Sequence, residues 1–179
     1  MILLISTCKN KLHENEFVKP IEKILKEESV KFQTKHYLNL SNKIIESSNK
    51  IIICGTSLSD DEFLKNINKF SWIKKTNKSI LGICAGAQII AQTFNAKTLK
   101  KTEIGFFKEN FKKDFLGERG EIEVYHLHNN YATLPEDFEK YTKSKISQAI
   151  KHKTKPIYAT LFHPEVRNKN IIKNFINSK

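Results

Sequence analysis

Glycines stand two residues to either side of Cys84 in Ile80-Leu81-Gly82-Ile83-Cys84-Ala85-Gly86-Ala87-Gln88, where a short apolar run gives way to a helical pattern. A side chain projects freely from a strand-to-helix junction only when the turn is sharp and the neighbours two residues away are small. Gly82 and Gly86 meet that demand, so the motif calls for a strand that feeds directly into a helix. The rest of the chain repeats the alternation. Apolar runs at 2–6, 30–37, 50–54, 79–83 and 157–162 read as strands. The central-looking run Ile51-Ile52-Ile53 is continuous and β-branched, as a strand buried on both faces requires. Helical spacing appears at 14–28, through Phe17, Ile21, Ile24 and Leu25, and at 168–176, through Ile171, Ile172, Phe175 and Ile176. Ser59-Asp60-Asp61-Glu62 supplies a cap and an acidic first turn for a helix reaching about Phe70. Between 97 and 127 short strand-like pieces are interrupted by Gly105, Gly117 and Gly120, which predicts a smaller antiparallel or irregular region. The expected architecture is α/β, with a mainly parallel central sheet flanked by helices. No linker or repeat divides residues 1–179, which read as one domain.

Charge is the most misleading feature of the composition. The net charge is +12, which invites a nucleic-acid reading, but 29 of the 31 basic residues are lysines, scattered from Lys9 to Lys179. Readers of bases and phosphates draw on the bidentate arginine fork, and only Arg119 and Arg167 could supply it. The lysines are therefore read as solvated surface, with no nucleic acid as partner. The longest apolar stretch, 80–91, has about twelve residues and contains Gln88, too short to span a membrane. Met1 to Ser6 lacks the charged start of a signal peptide and reads as a first strand. Three cysteines without regular spacing suit a reducing, cytoplasmic setting. Cys8 and Cys54, each at a strand end, are expected to be small buried residues.

Cys84 at the start of a helix faces the positive end of the helix dipole, which favours the thiolate, and the Ala85 N–H would point to where an oxyanion forms. A thiol nucleophile needs a base. His13, His36 and His152 lie in polar surroundings and are expected to be exposed. His126 and His128, two apart on a strand-like piece, share one face; theirs is the one ligand-like spacing, and a structural or substrate-side role for His128 is preferred to a metal site. His163 follows a buried strand at the edge where α/β sites form. Pro164 stiffens its turn, and Glu165 is near enough to orient the imidazole, giving a Cys84–His163–Glu165 arrangement.

Together these pieces resemble the class I, or triad, glutamine amidotransferases. The segment 82–88 is similar to their nucleophile motif, and Phe162-His163-Pro164-Glu165-Val166 to their His-Pro-Glu motif. Glu103-Ile104-Gly105-Phe106, His126-Leu127-His128-Asn129-Asn130 and Leu134-Pro135-Glu136-Asp137-Phe138 follow between them in the family's order. Cys54-Gly55-Thr56-Ser57 stands where members usually carry Gly-Gly-Pro, and Ala87, Ala159 and Leu161 are further departures.

The resemblance implies a flavodoxin-like fold and hydrolysis of glutamine to glutamate and ammonia through a γ-glutamyl thioester. It gives Cys84 the role of nucleophile, His163 that of proton relay and Glu165 that of support for His163. The second oxyanion donor falls at Gly55 or Thr56, and Gln88 lies by the substrate pocket. No cofactor or metal is implied. The chain has no phosphate-binding Gly-x-x-x-x-Gly-Lys-Ser/Thr loop, so the ammonia would go to an ATP-dependent synthase subunit on a separate chain. The branch of the family serving GMP synthesis is the most similar; those serving anthranilate, aminodeoxychorismate and imidazole-glycerol-phosphate synthesis are the alternatives. Outside this reading stand a cysteine hydrolase of γ-glutamyl peptides or another small amide, and a non-enzymatic regulator or scaffold keeping the fold.

Overall fold

The computed structural model describes residues 1–178. In chain order the elements are β1 (Ile2–Ser6), α1 (Glu14–Phe17), α2 (Lys19–Glu27), β2 (Phe32–His36), α3 (Asn42–Ser47), β3 (Lys50–Ile53), α4 (Glu62–Lys65), β4 (Ser79–Ile83) and α5 (Ala85–Thr93). They continue with β5 (Thr98–Phe115), β6 (Glu118–Ala132), β7 (Phe138–Lys140), β8 (Ala149–His152), β9 (Ile157–Thr160) and α6 (Lys169–Asn177). Seven strands form one sheet in the order β2-β1-β3-β4-β9-β8-β7, and β5 pairs with β6 in a separate hairpin. From β2 to β9 the pairings are parallel; β9–β8 and β8–β7 are antiparallel.

Alternation along each strand sorts side chains to the two faces. Leu3, Ile5, Ile51, Ile53 and Ile80 pack with α5, Phe70 and Ile73 on one side. Ile2, Leu4, Ile52, Leu81 and Ile83 pack with Ile21 and Leu25 of α2 and Ile172 and Phe175 of α6 on the other. A third cluster of Phe111, Phe115, Val124, Phe162 and Ile171 fixes the hairpin to the end of β9 and to α6. The parallel strands thus end together, with β3, β4 and β9 opening into one edge.

Three expectations need correction. The helix expected over 14–28 is two, broken at Val18, whose φ of −111° departs from helical values two residues before Pro20. The helix expected from Ser59 to Phe70 is only α4 followed by a 3-10 segment, Ile67–Lys74, because Asp60 turns inward instead of capping. The interrupted region at 97–127 is a continuous long hairpin. Gly105, Gly117 and Gly120 take positive φ within it, at 114°, 89° and 77°, and so bend the ribbon without ending it.

Candidate functional site

Cys84 joins β4 to α5 with φ 49° and ψ −100°, a conformation L-residues seldom hold and one that costs on the order of 1–3 kcal/mol. Its amide donates to Thr160 O at 2.8 Å and its carbonyl accepts from Gln88 N at 3.1 Å, so both flanking elements hold the turn. The flanking glycines permit this packing. A Cβ at Gly82 would lie 2.6 Å from the Gly86 carbonyl oxygen, and one at Gly86 would lie 2.2 Å from that of Ile53. The thiol donates to Leu127 O on the hairpin at 3.4 Å.

His163 lies beyond β9, held by its amide donating to Tyr125 O at 2.8 Å. Its Nδ1 is 2.7 Å from Glu165 Oε1, and both side chains are 1% exposed. Nε2, the other ring nitrogen, has no hydrogen-bond partner among the described residues. Burial alone would disfavour the imidazolium, but the charges of Glu165 and of Cys84 and hydrogen bonds to both outweigh it, and the pKa is pushed well above the ordinary histidine value. The ring sits directly against Gly55: a Cβ there would come within 2.7 Å of His163 Cε1 and 3.4 Å of Cys84 Cβ. Position 55 therefore needs glycine for close approach as well as for a turn.

Thr7 Oγ1 donates to the carbonyls of Cys54 and Gly55 at 3.2 and 3.3 Å. Holding those oxygens to one side turns the N–H groups of the same peptide units, Gly55 and Thr56, to the other. Among the described residues no backbone acceptor engages the amides of Gly55, Thr56 or Ala85. Thr56, Cys84, Ala85, Gln88 and His128 line one cleft of about 350 Å³. Gln88 is buried, and its Oε1 has no partner. All six expected residues, Gly55, Cys84, Ala85, Gln88, His163 and Glu165, thus converge on the C-terminal edge of the parallel strands. Cys8 and Cys54 are buried, unpaired thiols.

Sequence reasoning passed over Asp60. Its Oδ2 accepts from Thr56 Oγ1 at 2.7 Å, from the Lys9 amide at 3.0 Å and from His13 Nδ1 at 2.8 Å. The carboxylate thereby ties the loop after β3 to the segment after β1. The latter lies some fifty residues away, so no local spacing betrays it. His152, expected to be exposed, is buried against Phe94 and Phe138, while His13 and His36 are half-buried. His126 and His128 do share a face, and they meet Glu103 rather than His163. Burial pushes the His128 pKa down to about 4, outweighing the pull of Glu103.

A family model described as glutamine amidotransferase class-I matches residues 12–178. A Thermoplasma acidophilum protein, named as the glutamine-hydrolyzing subunit of GMP synthase, is 34% identical over 151 residues, covering 77% of this chain and 76% of its own. A Methanocaldococcus jannaschii protein of the same name is 32% identical over 169 residues, covering 78% and 89%. A crystal structure from Thermoplasma acidophilum, described as that of a GMP synthase subunit, superimposes with a TM-score of 0.84 at 29% identity, over 98% of this chain and 91% of that one. A Thermotoga maritima glutamine amidotransferase shares the fold, with a TM-score of 0.74 at 20% identity over 99% and 81%.

Proposed function

The chain belongs to the class-I glutamine amidotransferases, and from that premise we propose that it is a single glutaminase domain working through Cys84, His163 and Glu165. Glutamine enters the cleft beside Gln88 with its side-chain amide over Cys84. The thiolate attacks the amide carbon, and the resulting oxyanion is held by the N–H groups of Ala85 and Gly55. His163, protonated at Nε2, gives that proton to the departing nitrogen, and ammonia leaves a γ-glutamyl thioester on Cys84. Water then attacks the thioester with His163 as base, and glutamate departs as the thiolate returns. Glu165 keeps the ring oriented and supports its positive charge in both halves.

The observation that carries this reading is the His163 imidazole. One nitrogen is fixed by Glu165, the other is unengaged, and the ring packs against the same Gly55 that borders Cys84.

Ammonia would pass to a separate ATP-dependent synthase subunit, and the names of the relatives favour the one that makes GMP. A protein partner is also supported by the surface beside the site. Ile104, Phe106 and Val166 are exposed apolar residues, and the Arg167 guanidinium lies 5.7 Å from the centre of the Phe106 ring.

The experiment is glutamate release from glutamine by the purified protein, alone and with the GMP-forming synthase subunit, for wild type and Cys84→Ala. Wild type should release glutamate and accumulate a thioester trappable by mass; Cys84→Ala should do neither. Equal release by both proteins would sink the assignment.

A further inference from the structure

Glu103, His126 and His128 take no part in the proposed chemistry, yet the two imidazoles are 1% and 2% exposed. The hairpin brings the three together. Glu103 pairs directly with His128 and Gly105 with His126, so all three side chains leave the same face. Gly105 places no side chain opposite His126, which lets the Glu103 carboxylate reach both rings. Its Oε2 is 3.0 Å from His126 Nδ1 and 3.1 Å from His128 Nε2.

The hydrogens do not close in this arrangement. His128 Nδ1 is 3.1 Å from the Lys101 carbonyl oxygen, which can only accept, so Nδ1 carries a hydrogen. In the neutral ring Nε2 then turns a lone pair toward the Glu103 carboxylate, and it has no hydrogen-bond partner. Two lone pairs facing across 3.1 Å repel, and a cation between them removes the conflict.

We propose that Glu103, His126 and His128 bind one divalent transition-metal ion of the zinc type, through the Glu103 carboxylate, His126 Nδ1 and His128 Nε2. One donor atom from each lies within 4.8 Å of the others, a set that bonds of about 2.0–2.2 Å can gather around one ion. Two imidazoles and a carboxylate suit zinc and its neighbours, whereas calcium and magnesium prefer oxygen alone.

The surroundings are those of a metal site. Each ring nitrogen turned away from the ion has an acceptor: Lys101 O for His128, and Glu109 Oε1, 3.7 Å away, for His126. Gln148 Nε2 donates to Glu103 at 2.7 Å and orients it, while Phe107 stacks on His126 with centroids 4.7 Å apart and Phe162 lies 6.5 Å away nearly parallel. The ion would grip the residues on both sides of Leu127, whose carbonyl receives the Cys84 thiol. It would therefore brace one wall of the cleft while remaining outside the reaction.

The test is metal binding by the full chain. Protein stripped with a chelator is dialysed against Zn²⁺ and analysed for bound metal, then reloaded with Co²⁺ and examined by visible absorption. Wild type should retain about one equivalent, with the Co²⁺ bands of a tetrahedral nitrogen–oxygen site. Glu103→Gln, which keeps the side-chain shape, and His126→Gln should weaken binding at least a hundredfold with circular dichroism unchanged. The proposal falls if wild type holds no more metal than Glu103→Gln, which would leave a proton as the missing cation. It falls equally if a thiolate-to-cobalt band shows the metal on Cys84. If a variant does not fold, the wild-type Co²⁺ spectrum decides alone.

Discussion

His163 Nδ1 and Glu165 Oε1 stand 2.7 Å apart, two residues apart in the chain, with each side chain almost wholly withdrawn from water. In Glu165→Gln the shape remains and the charge goes. kcat for glutamine hydrolysis should drop by about 10²–10⁴-fold, with KM changed little, because the loss is felt where the imidazole carries charge.

The same pair sets a pH dependence. His163 is held well above its ordinary value of 6.5, so its contribution to stability is complete below that pH and is lost as pH rises through the elevated pKa. Thermal melts of wild type and Glu165→Gln should differ most on the acid side of this transition and converge on the alkaline side. Curves that stay parallel across the whole alkaline range would contradict the ion pair.

Gly55→Ala should be disproportionately harmful. Its methyl group would have to displace His163 Cε1 from 2.7 Å. Overpacking of this kind costs about 1–3 kcal/mol, or roughly 2–12 °C in Tm for a chain of this size. Because the ring moves with it, kcat/KM should fall by more than the about tenfold that a mere loss of stability leaves in a still-folded enzyme. Paired melts and kinetics at a temperature where the variant is folded would separate the two effects.

Asp60→Ala strips one acceptor from Thr56, His13 and the Lys9 amide together. Leaving buried donors unpaired should cost about 1–3 kcal/mol, and the freed Thr56 loop should raise KM. Burial opposes the Asp60 carboxylate, but the hydrogen bonds from His13, Thr56 and Lys9 prevail and hold its pKa below 3.8. The stabilisation is present above that pH and vanishes as pH falls through the depressed value. Wild type should therefore lose its advantage over Asp60→Ala in strong acid, measured by urea melts.

Lys50 anchors the last helix. Its ammonium donates to the carbonyls of Phe175 at 2.7 Å and Ile176 at 2.9 Å and also to that of Ser178. Lys50→Met keeps the aliphatic stem and abandons those acceptors, so amide exchange in α6 should accelerate about tenfold or more while β4 stays protected. Uniform acceleration across both elements would argue against a local clamp.

The strands that frame the site were legible because they are buried on both faces. Runs such as Ile51-Ile52-Ile53 admit few other readings, and β1, β3 and β4 fall where the apolar runs stand. Cys84 and His163 were legible because their chemistry needs small or rigid neighbours that leave a local trace. β7 and β8 escaped because short antiparallel strands such as Phe138–Lys140 are defined by their partners rather than by their own composition. The hairpin was misjudged because glycine marks a bend and a chain break alike, and only the pairing across the ribbon distinguishes them. Asp60 and Glu103 act through partners distant in sequence, which no spacing rule reaches.

The position of β9 bears on how the protein is born. This strand is made after every other strand, yet it lies in the sheet between β4 and β8, and the amide of Cys84 bonds to its Thr160. On the ribosome, β1 to β4 and the thiol appear early, with neither the neighbouring strand nor His163. A nascent chain must hold open a slot in its own sheet until residues 157–165 arrive. The nucleophile cannot work during that interval, so ammonia production begins only once translation has supplied the strand that closes the gap.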